Sequence, residues 1–123
     1  DSKITLKSLD DAKQYNIAGY QGDATAIFLK EKGFKVQEAI NDELNAKKLD
    51  AGRVDLWATG SEGGPWIAKA EGVKIKPLIT FKETKIYLAC NMSVGDDVVK
   101  KMNDTMAAMK ADGTTDKIYK KYR

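Results

Sequence analysis

Two turns in the sequence carry residue types that suit contact with a small ligand. The first, residues 20–25, follows a short apolar segment and leads into a helical pattern. Backbone N–H groups at the start of that helix could hold an anion. A purely structural alternative is that Gly22 makes the turn and Asp23 caps the helix. Both interpretations are open from the sequence.

The second turn, residues 59–65, is rich in glycine, which lets a backbone approach a ligand closely. Its glycines are Gly60, Gly63 and Gly64. The turn does not match a phosphate-binding loop, because no Lys-Ser or Lys-Thr pair follows in register and no Gly-x-Gly-x-x-Gly is present. Nucleotide binding is therefore not expected. Trp57 and Trp66 flank the turn, and they either stack on a ligand or are buried in a core.

The residue inventory argues against an enzyme. The chain has no His and a single Cys, which excludes Cys/His zinc sites, Ser-His-Asp triads and Cys-His dyads. The acidic pairs Asp10–Asp11 and Asp96–Asp97 fall at predicted helix starts, where they favour the helix dipole. We expect no catalytic residues, no metal ligands and no cofactor.

Composition and charge describe an ordinary globular chain. Of 123 residues, 42% are hydrophobic and 32% are charged, and the net charge is +3 with the two signs interleaved. Nucleic acid is not an expected partner, since binding it would require a larger basic surface with aromatic residues beside it. No stretch approaches the roughly 20 apolar residues that cross a bilayer. The N-terminus has no apolar signal segment, so a signal peptide either was never made or has been removed.

Strands and helices alternate through the first part of the chain. Strands are predicted at residues 15–20, 34–39 and 54–58, each followed by a helix. Asp23 and Asn41 are the predicted N-caps of the first two helices, and Gly33 is the predicted left-handed C-cap of the first. This order favours βαβ units and a largely parallel sheet.

The second part of the chain has a different character. Two further strands are predicted at residues 77–81 and 85–89, and Cys90 is interpreted as a buried small hydrophobe, with an intermolecular disulfide as the alternative. From residue 93 onward the pattern is helical, with a break at residues 112–114. One helix face is expected to belong to a core, with a soft binding surface as the alternative. That face consists of Val99, Met102, Met106 and Met109.

Three segments, in this order, resemble the second half of the bacterial extracellular solute-binding proteins of family 3. These are the polar amino-acid binders of ABC uptake systems. Residues 6–11 resemble the family's entry to its second lobe, and residues 49–55 resemble its Gly-Arg-Val-Asp segment before a central strand. Residues 109–122 resemble its C-terminal segment. The segments are Leu-Lys-Ser-Leu-Asp-Asp, Leu-Asp-Ala-Gly-Arg-Val-Asp and Met-Lys-Ala-Asp-Gly-Thr-Thr-Asp-Lys-Ile-Tyr-Lys-Lys-Tyr.

The resemblance implies an α/β fold: a periplasmic-binding-protein-like lobe with a mainly parallel sheet flanked by helices. The C-terminal helices would belong to a first lobe that has no counterpart here. Residues 1–82 would form lobe two, residues 83–88 a hinge strand, and residues 89–123 a helical segment of lobe one, open to domain swapping. Carried over by position, the ligand contacts are Tyr20, Asp23, Ala24, Thr25, Thr59 and Gly60.

Several functions are compatible with these features. The resemblance implies a non-enzymatic binding protein for a small polar solute such as an amino acid, located in the periplasm after signal-peptide removal, with an ABC transporter permease as partner. The alternative is a ligand-free interaction or assembly protein that forms a homodimer by exchange of its C-terminal segment, because the helical face must be covered. A fragment of a longer binding protein is also compatible with the sequence.

Overall fold

A three-stranded parallel sheet organises the N-terminal part of the chain. In the computed structural model, which describes residues 3–122, the strands are β1 (Asn16–Tyr20), β2 (Lys35–Ala39) and β3 (Leu56–Trp57). Their order is β2-β1-β3, and β1 is parallel to both neighbours. The predicted βαβ organisation is confirmed, although β3 is shorter than the expected strand at residues 54–58.

Helices connect these strands and begin where the sequence predicts. A 3₁₀ helix (Asp10–Gln14) precedes β1, and α1 (Ala24–Glu31), α2 (Asp42–Asp50) and α3 (Gly63–Ala70) follow the three strands. Two hydrogen bonds confirm the predicted caps: Asp23 Oδ1 accepts from Thr25 N at 2.7 Å, and Asn41 Oδ1 accepts from Leu44 N at 2.9 Å.

Two positions outside these caps also fix local structure. Gly33 follows α1 with φ 80°, in the left-handed region that the predicted C-cap requires. Before the 3₁₀ helix, the backbone N–H groups of Lys7 and Ser8 donate to Asp11 Oδ2 and hold the pKa of that carboxyl below its ordinary value of 3.8.

Side chains alternate between the two faces of the sheet and define two apolar clusters. Ile17 pairs in register with Val36 and with Leu56, so these three side chains share one face. That face belongs to a cluster whose buried members are Ala12, Ile17, Leu29 and Phe34. Trp57 lies on the opposite face and packs against a second cluster of Ala46, Ala68 and Val73. The sheet is therefore covered by helices on both faces.

The strands predicted at residues 77–81 and 85–89 do not form in the described chain. A strand needs a neighbour that pairs with its backbone N–H and C=O groups, and neither segment has one in the sheet. The Phe81 ring instead lies parallel to the Phe28 ring, with centroids 6.3 Å apart, and Lys82 Nζ lies 4.5 Å from the Phe28 ring centroid. Aromatic stacking, not strand pairing, fixes the end of this segment.

A second compact unit begins at Glu83. It contains α4 (Asp96–Ala111) and α5 (Thr114–Tyr119), separated at Gly113, whose φ of 78° matches the predicted break. No residue among 83–122 is buried. The expectation of a core face is therefore wrong: Met102 and Met109 are half-buried and Met106 is exposed, because the described chain covers this face only in part.

The expectation of a buried Cys90 is also wrong, since this free cysteine is exposed. The apolar segment before it, predicted as a strand at residues 85–89, has no partner strand in the described chain and lies at the surface. Ile86 is 96% exposed and Met92 is 100% exposed. No helix in the described part of the chain is long and apolar enough to span a membrane.

Candidate functional site

The two turns singled out in the sequence meet at one edge of the sheet. Because β1 and β3 are parallel neighbours, with Ala18 in register with Trp57, the connections that follow them leave from the same end. The backbone hydrogen bond from Ala58 N to Ala18 O, 2.9 Å long, extends this pairing. In open α/β sheets, ligands bind beyond the carboxyl ends of the strands. We call this end of the sheet, formed by residues 20–25, 40–45 and 57–66, the carboxyl edge.

The first turn combines an exposed aromatic side chain with a capped helix start. Tyr20 is 45% exposed, and Asp23 N donates to Tyr20 O at 3.1 Å to close the turn. Gly22 has φ 75°, which explains why glycine occupies this position. The structural roles considered for Gly22 and Asp23 are both confirmed. Since the Asp23 carboxylate accepts from Thr25 N, it already occupies one N–H group that an anion would need.

The connection after β2 joins the same edge. Gln21 N donates to Ala39 O at 2.9 Å, which ties the first turn to the end of β2. Ile40 follows and is exposed, and Asn41 then caps α2. The sequence drew attention to Asn41 as a cap but did not place it beside the first turn, because that proximity depends on the pairing of β1 with β2.

The second turn is held tightly around Thr59. Gly64 N donates to Gly60 O at 2.9 Å, and Gly64 is buried at the start of α3. A Cβ atom on Gly64 would lie 2.2 Å from Thr59 Cγ2, so only glycine leaves room for the Thr59 side chain as it stands. Thr59 is half-buried and Gly60 is exposed.

The two tryptophans behave differently. Trp57 is half-buried against the second apolar cluster, whereas Trp66 is 51% exposed on α3. The interpretation of a core tryptophan therefore suits Trp57 and is wrong for Trp66. Trp66 lies just after the glycine turn, near the start of α3, and about half of its surface is open to solvent.

The sequence did not identify Asp42, which contacts the second turn. Asp42 Oδ1 accepts from Trp57 Nε1 at 3.0 Å and from Asn45 Nδ2 at 2.9 Å. Thr59 Oγ1 donates to Asp42 Oδ2 at 3.5 Å. The only signal in the sequence was an acidic residue after a cap, which is common at helix starts and does not indicate these partners.

All six predicted ligand contacts lie at the carboxyl edge. Four of them, Tyr20, Asp23, Ala24 and Thr25, lie on the connection from β1 to α1, and Thr59 and Gly60 lie on the connection from β3 to α3. Their role as ligand contacts stays a prediction. Within residues 3–122, no three His, Cys, Asp or Glu side chains are grouped as metal ligands.

The charges of the carboxyl edge have one sign. Its three connecting segments contain no Lys or Arg, although the chain as a whole has 21 such residues. The carboxylates of these segments are Asp23, Asp42, Glu43 and Glu62. These segments therefore carry carboxylates and no cationic side chain, together with the exposed aromatic side chains of Tyr20 and Trp66.

Comparison with known proteins identifies two similar solved structures. The chain matches an ancestral arginine-binding protein bound to glutamine, with a TM-score of 0.69 and 29% sequence identity, over 98% of this chain and 55% of that one. It also matches an ancestral arginine-binding protein bound to arginine, with a TM-score of 0.68 and 29% identity, over 97% and 55%. No family model and no curated protein matches the chain.

These similarities agree with the fold described above. The parallel sheet flanked by helices is that of a periplasmic-binding-protein lobe, and the chain spans about half the length of the structures it matches, 55% in each case. Both neighbours are described as arginine-binding proteins.

Proposed function

We propose that this chain is a non-enzymatic solute-binding protein of an ABC-type uptake system, and that its carboxyl edge binds a small polar solute of the amino-acid class. The observation that carries the proposal is the meeting of the two ligand-type turns at the ends of the parallel neighbours β1 and β3. Similarity to amino-acid-binding proteins along nearly the whole chain supports the same function.

The charge of the carboxyl edge favours a solute with a cationic group. Glutamate carries a side-chain carboxylate in addition to the α-carboxylate that all three amino acids share, and burying that extra negative charge against Asp23 is costly unless it is paired. A guanidinium or ammonium group is instead attracted by Asp23 and can lie against an exposed aromatic ring. We therefore expect arginine to bind more tightly than glutamine, and glutamate most weakly.

Each predicted contact has a distinct role in this proposal. Tyr20 offers an aromatic face, Asp23 offers the carboxylate oxygen that does not face Thr25 N, and Thr59 offers a hydroxyl. Ala24 and Gly60 contribute backbone groups, as suits small residues at a helix start and a glycine turn. Thr25 contributes its hydroxyl, because its N–H group is already bonded to Asp23.

The cellular setting follows from the family resemblance. A protein of this class is exported to the periplasm, loses its signal peptide and delivers solute to the membrane permease of its transporter. Residues 1–82 would be lobe two, residues 83–88 a hinge and residues 89–123 a helical part of lobe one. The remaining length of the matched structures would supply the rest of lobe one, and with it the opposite wall of the cleft.

Two measurements with arginine, glutamine and glutamate test the proposal: calorimetric titration gives each Kd, and urea unfolding in the presence of each solute gives the gain in stability. A solute that binds the native state at a hundredfold excess over its Kd raises the free energy of unfolding by about 2.7 kcal/mol. We expect arginine to raise the free energy of unfolding of the unmodified chain by this amount, and we expect no such rise in Thr59→Ala. Asp23→Asn keeps a capping oxygen but removes the charge, so arginine affinity should fall about fivefold while glutamine affinity changes little.

A matched control is Thr105→Ala, which removes a hydroxyl on α4 that donates to Lys101 O and lies outside the carboxyl edge. Its affinity for arginine should equal that of the unmodified chain. Binding that survives Thr59→Ala, or glutamate affinity above that of arginine, would contradict the proposal.

A second candidate function is assembly by segment exchange into a homodimer. The observation that favours it is the exposed apolar surface of the second unit, where Ile86, Tyr87, Leu88 and Met92 are all exposed. Contiguous apolar surface of this kind marks sites that other proteins cover. A second copy that exchanges residues 89–123 would cover it symmetrically.

Light scattering coupled to size exclusion distinguishes this candidate. A dimer that Ile86→Lys converts to a monomer supports assembly through this surface. Ile40→Lys is the matched control, because Ile40 is also exposed but lies in the first unit. A monomer at micromolar concentration would exclude exchange as the function.

A further inference from the structure

Asp42 lies at the centre of a small polar network between α2 and the second turn. Its Oδ1 atom receives two hydrogen bonds, from the indole Nε1 of Trp57 at 3.0 Å and from the side-chain amide of Asn45 at 2.9 Å. Its Oδ2 atom faces the hydroxyl of Thr59 at 3.5 Å. Asp42, the first residue of α2, thus contacts both ends of the short segment 57–59.

The network is anchored in the interior. Asn45 is fully buried, and its Oδ1 atom has no hydrogen-bond partner within the described residues. Buried polar side chains are normally fully paired, since an unpaired buried group loses its hydrogen bonds to water. The contact that Asn45 does make, through Nδ2, is directed at Asp42. A buried amide that bonds only to this carboxylate restricts the rotamer of Asp42.

The other end of the network restricts Thr59. Gly64 packs against the Thr59 methyl group so closely that no side chain fits there, and the hydroxyl lies on the side of Asp42. The Thr59 side chain therefore lies between the backbone of Gly64 and the carboxylate of Asp42. Since Asp42 Oδ1 already accepts two hydrogen bonds, Asp42 is better suited to orient its neighbours than to bind a solute itself.

We propose that Asp42 is a positioning residue of the solute site: through Trp57 Nε1 and Thr59 Oγ1 it fixes the rotamer of Thr59 that binds solute. This inference rests on the proposed function of the carboxyl edge. It assigns solute affinity to a residue that touches no solute and that belongs to the connection after β2, not to either of the two turns that the sequence indicated.

The first readout needs no ligand. In the NMR spectrum of the free protein, Asp42→Ala should shift the Trp57 indole N–H resonance and give Thr59 χ1 couplings that are averaged over rotamers. Trp66→Phe assigns the two indole signals. Asp50→Asn is the matched control, because Asp50 is the exposed last residue of the same helix and the change removes the same charge. It should leave both signals unchanged.

The second readout is the Kd for glutamine, a solute without net charge, so that the loss of a carboxylate acts little through long-range attraction. Loss of hydrogen bonds to a charged group predicts an increase of about tenfold for Asp42→Ala. Asp42→Asn should recover most of the affinity, since its amide oxygen accepts from Trp57 Nε1. Trp57→Phe, which keeps an aromatic ring but removes the donor, tests the same contact if Asp42→Ala does not fold.

The outcomes separate the two proposals. Altered Thr59 couplings with unchanged glutamine affinity would overturn the positioning role while leaving the solute site intact. Unaltered NMR signals in Asp42→Ala would overturn it whatever the affinity. If the unmodified chain shows the indole and Thr59 signatures but binds neither arginine nor glutamine, the proposed function has failed, and the positioning role is overturned with it.

Discussion

Gly64→Ala should weaken solute binding at least tenfold and destabilise the first unit, although it adds a single methyl group. The new Cβ atom would lie 2.2 Å from Thr59 Cγ2, and Thr59 has a carboxylate on its other side. Either α3 shifts or Thr59 leaves its rotamer. Overpacking of this kind costs about 1–3 kcal/mol, and because the displaced residue is a predicted ligand contact, we expect the Kd for glutamine to rise at least tenfold.

The neighbouring position provides the control. Gly63 is the first residue of α3, and a Cβ atom there meets nothing within 4 Å. Alanine is favoured over glycine in helices by up to about 1 kcal/mol, so Gly63→Ala should leave stability unchanged or raise it. Urea unfolding and glutamine titration of both variants provide the comparison. Equal unfolding midpoints for the two variants would show that the second turn is not packed as described.

Local signals account for much of the first unit. The caps at Asp23 and Asn41 and the left-handed Gly33 are determined by short-range chemistry, in which one side chain bonds to a nearby N–H group or one residue adopts an uncommon φ. The alternation of strands and helices then requires parallel pairing, and parallel pairing brings the two turns to one edge. The location of the candidate site could therefore be predicted without coordinates.

Features that depend on distant partners could not be predicted in this way. Residues 77–81 and 85–89 have strand-like composition, but composition does not supply a neighbouring strand, and both remain unpaired. The burial of Cys90 was predicted from its apolar neighbours, and these are exposed as well. The network around Asp42 joins residues 15 and 17 positions apart in the sequence, and no periodicity connects them.

The two units also differ in how their sequences can be interpreted. In the first unit, α1 buries Leu29, although Ile27 on the same helix is exposed. On α4 no residue is buried and Met106 is exposed, because an apolar face indicates only that a cover is needed and not that the chain provides it. An amphipathic pattern therefore predicts a helix more securely than it predicts a core.

Leu29→Ala should have the largest effect on stability of any single truncation on α1. Leu29 is 1% exposed and packs in the cluster with Ile17 and Phe34. Truncation of a buried leucine leaves a cavity and costs about 2–5 kcal/mol, against about 5–15 kcal/mol of total stability for a typical domain. Urea unfolding followed by tryptophan fluorescence reports on this unit, because both tryptophans, Trp57 and Trp66, lie in it.

Ile27→Ala on the same helix is the matched control. Ile27 is 45% exposed, and surface truncations usually change stability by about 0.5 kcal/mol or less. Leu29 lies at least four residues beyond Asp23 and Thr25, which are predicted ligand contacts. The folded fraction of Leu29→Ala should therefore bind glutamine with an unchanged Kd. If Leu29→Ala loses stability but keeps its affinity for glutamine, whereas Gly64→Ala loses affinity, then solute binding depends on the carboxyl edge and not on the core as a whole. A Leu29→Ala variant as stable as Ile27→Ala would contradict the packing of α1 on the sheet.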